Sequence, residues 1–132
     1  MKHRKIVSVI FGIYTGIVLL LSLLPSFFFR DLPYVPSWSF SDKIAHVLMY
    51  LFYTLIASAM LYSQSFKRII SLAILYTILF GVFMEFCQLM IKGAGRTGSL
   101  GDIVANTIGT IIGAIIVSAI LKKIDRTGSA KE

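Results

Sequence analysis

The chain has 132 residues, 57% of them apolar and only 14% charged, and its mean hydropathy of +0.85 excludes a water-soluble domain of this size. Thirteen Lys and Arg against six Asp and Glu give a formal net charge of +7, but the charges cluster between long uncharged stretches, which points to membrane topology rather than to nucleic acid. A single cysteine, Cys87, excludes an internal disulfide framework and any multi-cysteine metal site, and no Gly-rich phosphate loop, CxxC or HExxH pattern is present.

The first apolar span, Ile6 to Phe29, follows Lys2, Arg4 and Lys5 and so begins like a signal peptide. It runs past the roughly 7–15-residue apolar core of such a peptide and lacks an A-x-A-like site, so an uncleaved helix is expected. Within it Gly12 and Gly16 are spaced as a generic small-residue helix contact, with a homodimer as the expected use. The connection that follows holds Tyr34, Trp38 and Phe40 among prolines and serines, amphipathic rings suited to the headgroup level.

The second span, Ile44 to Phe66, is joined by Lys67 and Arg68 to the third, Ile69 to Ile91, in which Glu85 is the only formal charge. A glycine-rich connection from Lys92 to Gly101 leads to the fourth span, Ile103 to Leu121, and then to a short charged tail. Each span matches the roughly 20 residues that cross a bilayer as a helix. An all-α bundle of four transmembrane helices is therefore predicted, forming one domain over residues 1–124 with a cytoplasmic tail over 125–132.

Orientation follows from the basic flanks. Lys2, Arg4, Lys5, Lys67, Arg68, Lys122, Lys123, Arg126 and Lys131 fall on one side, whereas Arg30, Lys43, Lys92 and Arg96 fall on the other. The richer side, with both termini, is expected in the cytoplasm.

This topology brings Asp42, Lys43, His46, Glu85, Gln88, Arg96, Asp102 and Asn106 to one depth near the outer surface. Helical phase sharpens the convergence, because residues three or four apart share a face. Asp42, His46, Tyr50 and Tyr53 form one stripe, Gly81, Glu85, Gln88 and Lys92 a second, and Asp102, Asn106, Gly109 and Gly113 a third. Polar groups are costly against hydrocarbon and small residues let helices approach, so the stripes are expected to face one another around an outward polar pocket. Ser39-x-x-Asp42 and Ser99-x-x-Asp102 read as capping boxes at two helix starts. Their free N–H groups, with Lys43, Lys92 and Arg96, suit a phosphate or carboxylate.

The run Asp42-Lys-Ile-Ala-His46-Val-Leu-Met-Tyr50, then Glu85-x-x-Gln88, Arg96 and Asp102-Ile-Val-Ala-Asn106-Thr-Ile-Gly109-x-x-x-Gly113, resembles the VanZ-like family of small bacterial membrane proteins in order and spacing over residues 42–113. Here glycines 93, 95, 98 and 101 surround Arg96, where the family often has a bulkier link. The resemblance implies a multi-pass protein of the bacterial cytoplasmic membrane, and the family's namesake is associated with resistance to the lipoglycopeptide teicoplanin.

The expected function is to bind, and in an enzymatic version to modify, an anionic lipid or lipid-linked cell-wall precursor at the outer face. In that version, a hydrolase or transferase, His46 or Glu85 moves the proton and Asp42 orients His46. Lys43, Tyr50, Gln88, Arg96, Asp102 and Asn106 form the binding set, with Arg96 and the helix starts on the phosphate. No cofactor, resident metal or nucleic-acid partner is expected. In the alternative, a non-enzymatic binding or interaction protein uses the same polar residues to hold its helices together. A transporter is disfavoured, because no ionisable residue continues a path to the inner end and no inverted repeat is apparent.

Overall fold

A computed structural model of the chain describes residues 2–24, 41–62, 65–91 and 99–129. Inside a bilayer, backbone N–H and C=O groups find no water, so an apolar span satisfies them within a helix. The described residues accordingly form α1 (Lys2–Leu23), α2 (Ser41–Met60), α3 (Phe66–Met90) and α4 (Leu100–Ser129). Each is long and apolar enough to cross a membrane. Mean hydropathy is lowest in α2 at 1.4 and highest in α1 at 2.5, because α2 carries Asp42, Lys43 and His46.

The helix ends have local causes. α1 ends at Leu23, its last turn closing through Leu24 N–H donating to the Leu20 carbonyl at 2.9 Å, and the remainder of the expected span to Phe29 lies outside the described residues. Pro25 comes next, and a residue before proline is pushed out of the helical region. The aromatic connection, with Tyr34, Trp38 and Phe40, lies outside the described residues. Ser65 caps α3, its carbonyl accepting from Ile69 N–H. α4 continues beyond the expected Leu121 through the charged segment to Ser129. Lys122, Lys123 and Ile124 are acceptable in a helix, and Arg126 in the last turn opposes the negative end of the dipole.

Contacts along the bundle show that successive helices alternate in direction. Ser8 of α1 meets Met60 of α2 at one end, while Ser22 of α1 meets Gln88 of α3 and Lys43 of α2 meets Asp102 of α4 at the other. The first end exposes Arg4, Lys5, Lys67, Arg68, Lys122, Lys123 and Arg126 and is called the basic end. The second is the polar end.

α2 and α4 make the most extensive contact in the bundle, and two glycines set its closeness. A Cβ on Gly109 would run into the Val47 carbonyl oxygen and lie 3.0 Å from Leu51 N. One on Gly113 would lie 2.8 Å from Thr54 Cβ and 2.9 Å from the Leu51 carbonyl oxygen. The helices therefore touch backbone to backbone. Gly12 and Gly16, by contrast, face open space on α1, with nothing within 4 Å.

Tyr53, fully buried, joins three helices. Its ring stacks on Phe80 of α3 at 4.9 Å between centroids and tilts against Phe11 of α1 at 5.6 Å. Its hydroxyl pairs with that of Thr15 at 3.2 Å. Around this core the outward surface is apolar, including Leu48, Leu79, Phe86 and Ile115, as a lipid-facing surface requires.

Candidate functional site

The polar end is built where α2 begins, α3 ends and α4 begins. His46 lies one turn into α2 and Asn106 just over one turn into α4, and the close α2–α4 approach puts His46 Nδ1 2.9 Å from Asn106 Oδ1. With the amide oxygen as acceptor, Nδ1 carries the proton and the Nε2 lone pair is left over. His46 is 4% and Asn106 3% exposed.

The start of α4 departs from the expected capping box in an informative way. Ser99 does cap the helix, its Oγ accepting from Asp102 N–H at 3.2 Å. The reciprocal contact comes from another helix, since Ser99 N–H donates to Glu85 Oε2 of α3 at 3.1 Å. Asp102 is thereby released from the cap and instead accepts from the Lys43 ammonium of α2. Lys43 also donates to Ser99 Oγ at 3.3 Å. It crosses the first turn of α4 because Gly101 has no Cβ, which would stand 3.1 Å from Lys43 Cε. The other proposed capping serine, Ser39, lies outside the described residues.

Several polar atoms at this end retain unused valences. Glu85 is 2% exposed and its Oε1 has no hydrogen-bond partner, nor do the Tyr50 hydroxyl and Asn106 Nδ2. The Tyr50 ring reaches α3 at Gly81, where an added Cβ would lie 2.9 Å from its Cε1. Open valences on buried groups of three helices mark a place suited to a ligand group.

Of the residues singled out in the sequence, the structure therefore brings together Asp42, Lys43, His46, Tyr50, Glu85, Asp102 and Asn106. Asp42 is exposed at the rim, and a carboxylate oxygen of Asp42, a ring nitrogen of His46 and a carboxylate oxygen of Asp102 lie within 4.8 Å of one another. The hydrogen bond that orients His46 comes from Asn106, not from Asp42. Gln88 is buried but turns to α1, donating to the Ser22 carbonyl at 2.9 Å. Arg96 and Lys92 lie outside the described residues.

Sequence reasoning treated Ser99 as a cap alone and missed it as the hub joining Lys43, Glu85 and Asp102. A serine at the end of a glycine-rich connection signals a helix start, but no local pattern reveals that a carboxylate from the preceding helix will take its N–H. Chemically, the described residues of the site offer one ammonium, an open carboxylate oxygen, an imidazole nitrogen and a phenol at the edge of an apolar bundle. These groups suit binding of a polar headgroup and proton transfer.

A family model described as VanZ/LLP1 matches residues 7–122. No curated protein and no solved structure matches the chain significantly.

Proposed function

The chain belongs to the VanZ/LLP1 family, and from that premise we propose that it binds an anionic lipid or lipid-linked cell-wall precursor at the outer face of the bacterial cytoplasmic membrane and modifies it there. The observation that carries this reading is the convergence of Lys43, His46, Glu85, Asp102 and Asn106 at one end of a four-helix membrane bundle, with Glu85 Oε1 and the Tyr50 hydroxyl buried and unpartnered. Buried ionisable groups among membrane helices are expensive unless they serve a purpose. The excess of Lys and Arg at the basic end supports a cytoplasmic position for it, and with that an outward-facing polar end.

In this reading Lys43, together with Arg96, attracts the phosphate, while Glu85 and His46 are placed for proton transfer. Asn106 fixes the imidazole so that Nε2 is the reacting nitrogen. A role in teicoplanin resistance belongs to the same proposal, since that drug acts on wall precursors outside the membrane.

The test is mass spectrometry of membrane lipids and lipid-linked wall precursors from cells expressing the protein, its Glu85→Gln variant at matched levels, or neither. The expected result is a species that appears or vanishes only with Glu85 intact. Identical profiles in all three would overturn the modification reading.

The second reading, a non-enzymatic interaction protein, is favoured by one specific observation. The bonds Glu85–Ser99, His46–Asn106 and Gln88–Ser22 all tie helix to helix or helix to cap. Under that reading Glu85→Gln retains full function, because a neutral amide oxygen still accepts from Ser99 N–H.

A further inference from the structure

We propose that the polar end holds a divalent transition-metal ion of the zinc or manganese kind, ligated by Asp42, His46 Nε2 and Asp102. Asp42 and His46 stand four residues apart on α2 and so share a face, and Asp102 reaches them from the first turn of α4. One donor atom from each lies within 4.8 Å of the others. Donors around an ion at about 2.1 Å are separated by roughly 3–4 Å, so small side-chain rotations close the set. Two carboxylates and an imidazole are hard-to-borderline donors, which suit Mn²⁺ or Zn²⁺ over softer ions.

Two independent observations point to a ligand here. First, His46 is held as metal-bound histidines usually are, with one ring nitrogen engaged by an oxygen and the other left open. Asn106 Oδ1 supplies that oxygen at 2.9 Å from Nδ1. Second, Glu85, 2% exposed, keeps Oε1 without a partner while its other oxygen is fixed by Ser99 N–H, three residues before Asp102. Glu85 lies outside the three-residue donor set but borders it, since the Ser99 whose N–H holds its other oxygen also caps Asp102 N–H through Oγ. Among the described residues, three carboxylates, Asp42, Glu85 and Asp102, share this end with one ammonium, Lys43.

Lys43 gives the proposal its sharpest consequence. Its ammonium already sits on Asp102, so a cation is favoured there and a divalent ion must displace it. Removing that competing charge should tighten metal binding, whereas a lysine that merely held a helix pair together would leave binding unaffected. The inference stands on these donors and not on the lipid reading, in which an ion on His46 Nε2 would leave proton transfer to Glu85 alone, and its test contains no lipid substrate.

The full chain, purified in detergent and stripped with chelator, is titrated with Zn²⁺ or Mn²⁺ alone, and the Mn²⁺ form is studied by pulsed electron paramagnetic resonance. Expected are one ion per chain and a nitrogen coupling from an imidazole. His46→Ala and Asp102→Asn should each weaken binding by about 100-fold or more, and Asn106→Ala, which only frees the imidazole, by about 10–100-fold. Lys43→Met should tighten it by roughly tenfold, through loss of a unit charge at contact range. Binding no tighter than that of the His46→Ala, Asp102→Asn double variant, binding without the imidazole coupling, or unchanged affinity in Lys43→Met overturns the proposal. Should a variant fail to fold, stoichiometry and imidazole coupling in the unaltered chain decide the matter alone.

Discussion

In the middle of the bundle Thr54 and Thr110 are buried, and each hydroxyl donates to the carbonyl four residues earlier in its own helix, at 2.8 and 2.9 Å. At the polar end His46, Glu85, Asp102 and Asn106 are as deeply buried, yet they bond across helices and leave valences open. Thr77, whose hydroxyl has no partner, is the middle's exception. A hydroxyl that bonds its own backbone makes no demand on its neighbours and specifies little. A carboxylate or imidazole cannot do this, so its burial fixes which helices meet, in what register, and around what.

The strongest way to break the comparison is to separate the two helices on which both regions depend. Gly109→Val drives a side chain into the Val47 carbonyl, and no rotamer relieves a collision that begins at Cβ. Overpacking against backbone should destabilise the bundle by about 3 kcal/mol or more. Thermal unfolding in detergent, followed by circular dichroism, should show a large drop in Tm or no folded protein. A variant with near-native Tm would mean that α2 and α4 do not touch as described.

Asn106→Ala acts within the polar end alone. It leaves the His46 Nδ1–H buried without an acceptor, which should cost about 1–3 kcal/mol, while the helix contact at Gly109 persists. The expected result is a folded chain of lower Tm. An unchanged Tm would show that the His46–Asn106 bond contributes nothing net.

Lys43→Met sharpens the contrast between burial and exposure. The thioether keeps the apolar stem over Gly101 but strands the Asp102 carboxylate. Breaking a fully buried pair costs several kcal/mol, but Lys43 is 35% exposed, and solvent screening reduces the expected loss to about 1–2 kcal/mol. The loss should shrink on adding a divalent ion if the ion takes the ammonium's place, and persist otherwise.

The four spans were legible because hydropathy over about 20 residues is a strong, additive signal. The meeting of Lys43, His46, Glu85, Asp102 and Asn106 was legible because alternating helices place residues 42–46, 85 and 102–106 at one depth and period places them on facing stripes. Partners were not. Helical phase gives a side chain's face but not which of two neighbouring helices it meets, so Gln88 was assigned to the pocket and instead bonds the Ser22 carbonyl of α1. Ser99-x-x-Asp102 was half legible, since the cap is local but Glu85 displaces Asp102 from it only through tertiary contact. The core role of Tyr53 was hidden because an aromatic in an apolar span carries no signal of its own until Phe11 and Phe80 are packed against it.

The smallest effect is expected where polarity is self-contained. Thr54→Val and Thr110→Val each remove a hydroxyl whose one hydrogen bond among the described residues runs to the Tyr50 or the Asn106 carbonyl, and that carbonyl belongs to a residue of the same helix. The shape is nearly kept, and side-chain hydrogen bonds among membrane helices average only about 0.6 kcal/mol. Both variants should therefore unfold within a few degrees of the unaltered chain and bind the same ligands at the polar end. If either were to abolish ligand binding with Tm preserved, the hydroxyl layer would belong to the site, and the division between a packing middle and a functional end would have to be redrawn one turn deeper into the membrane.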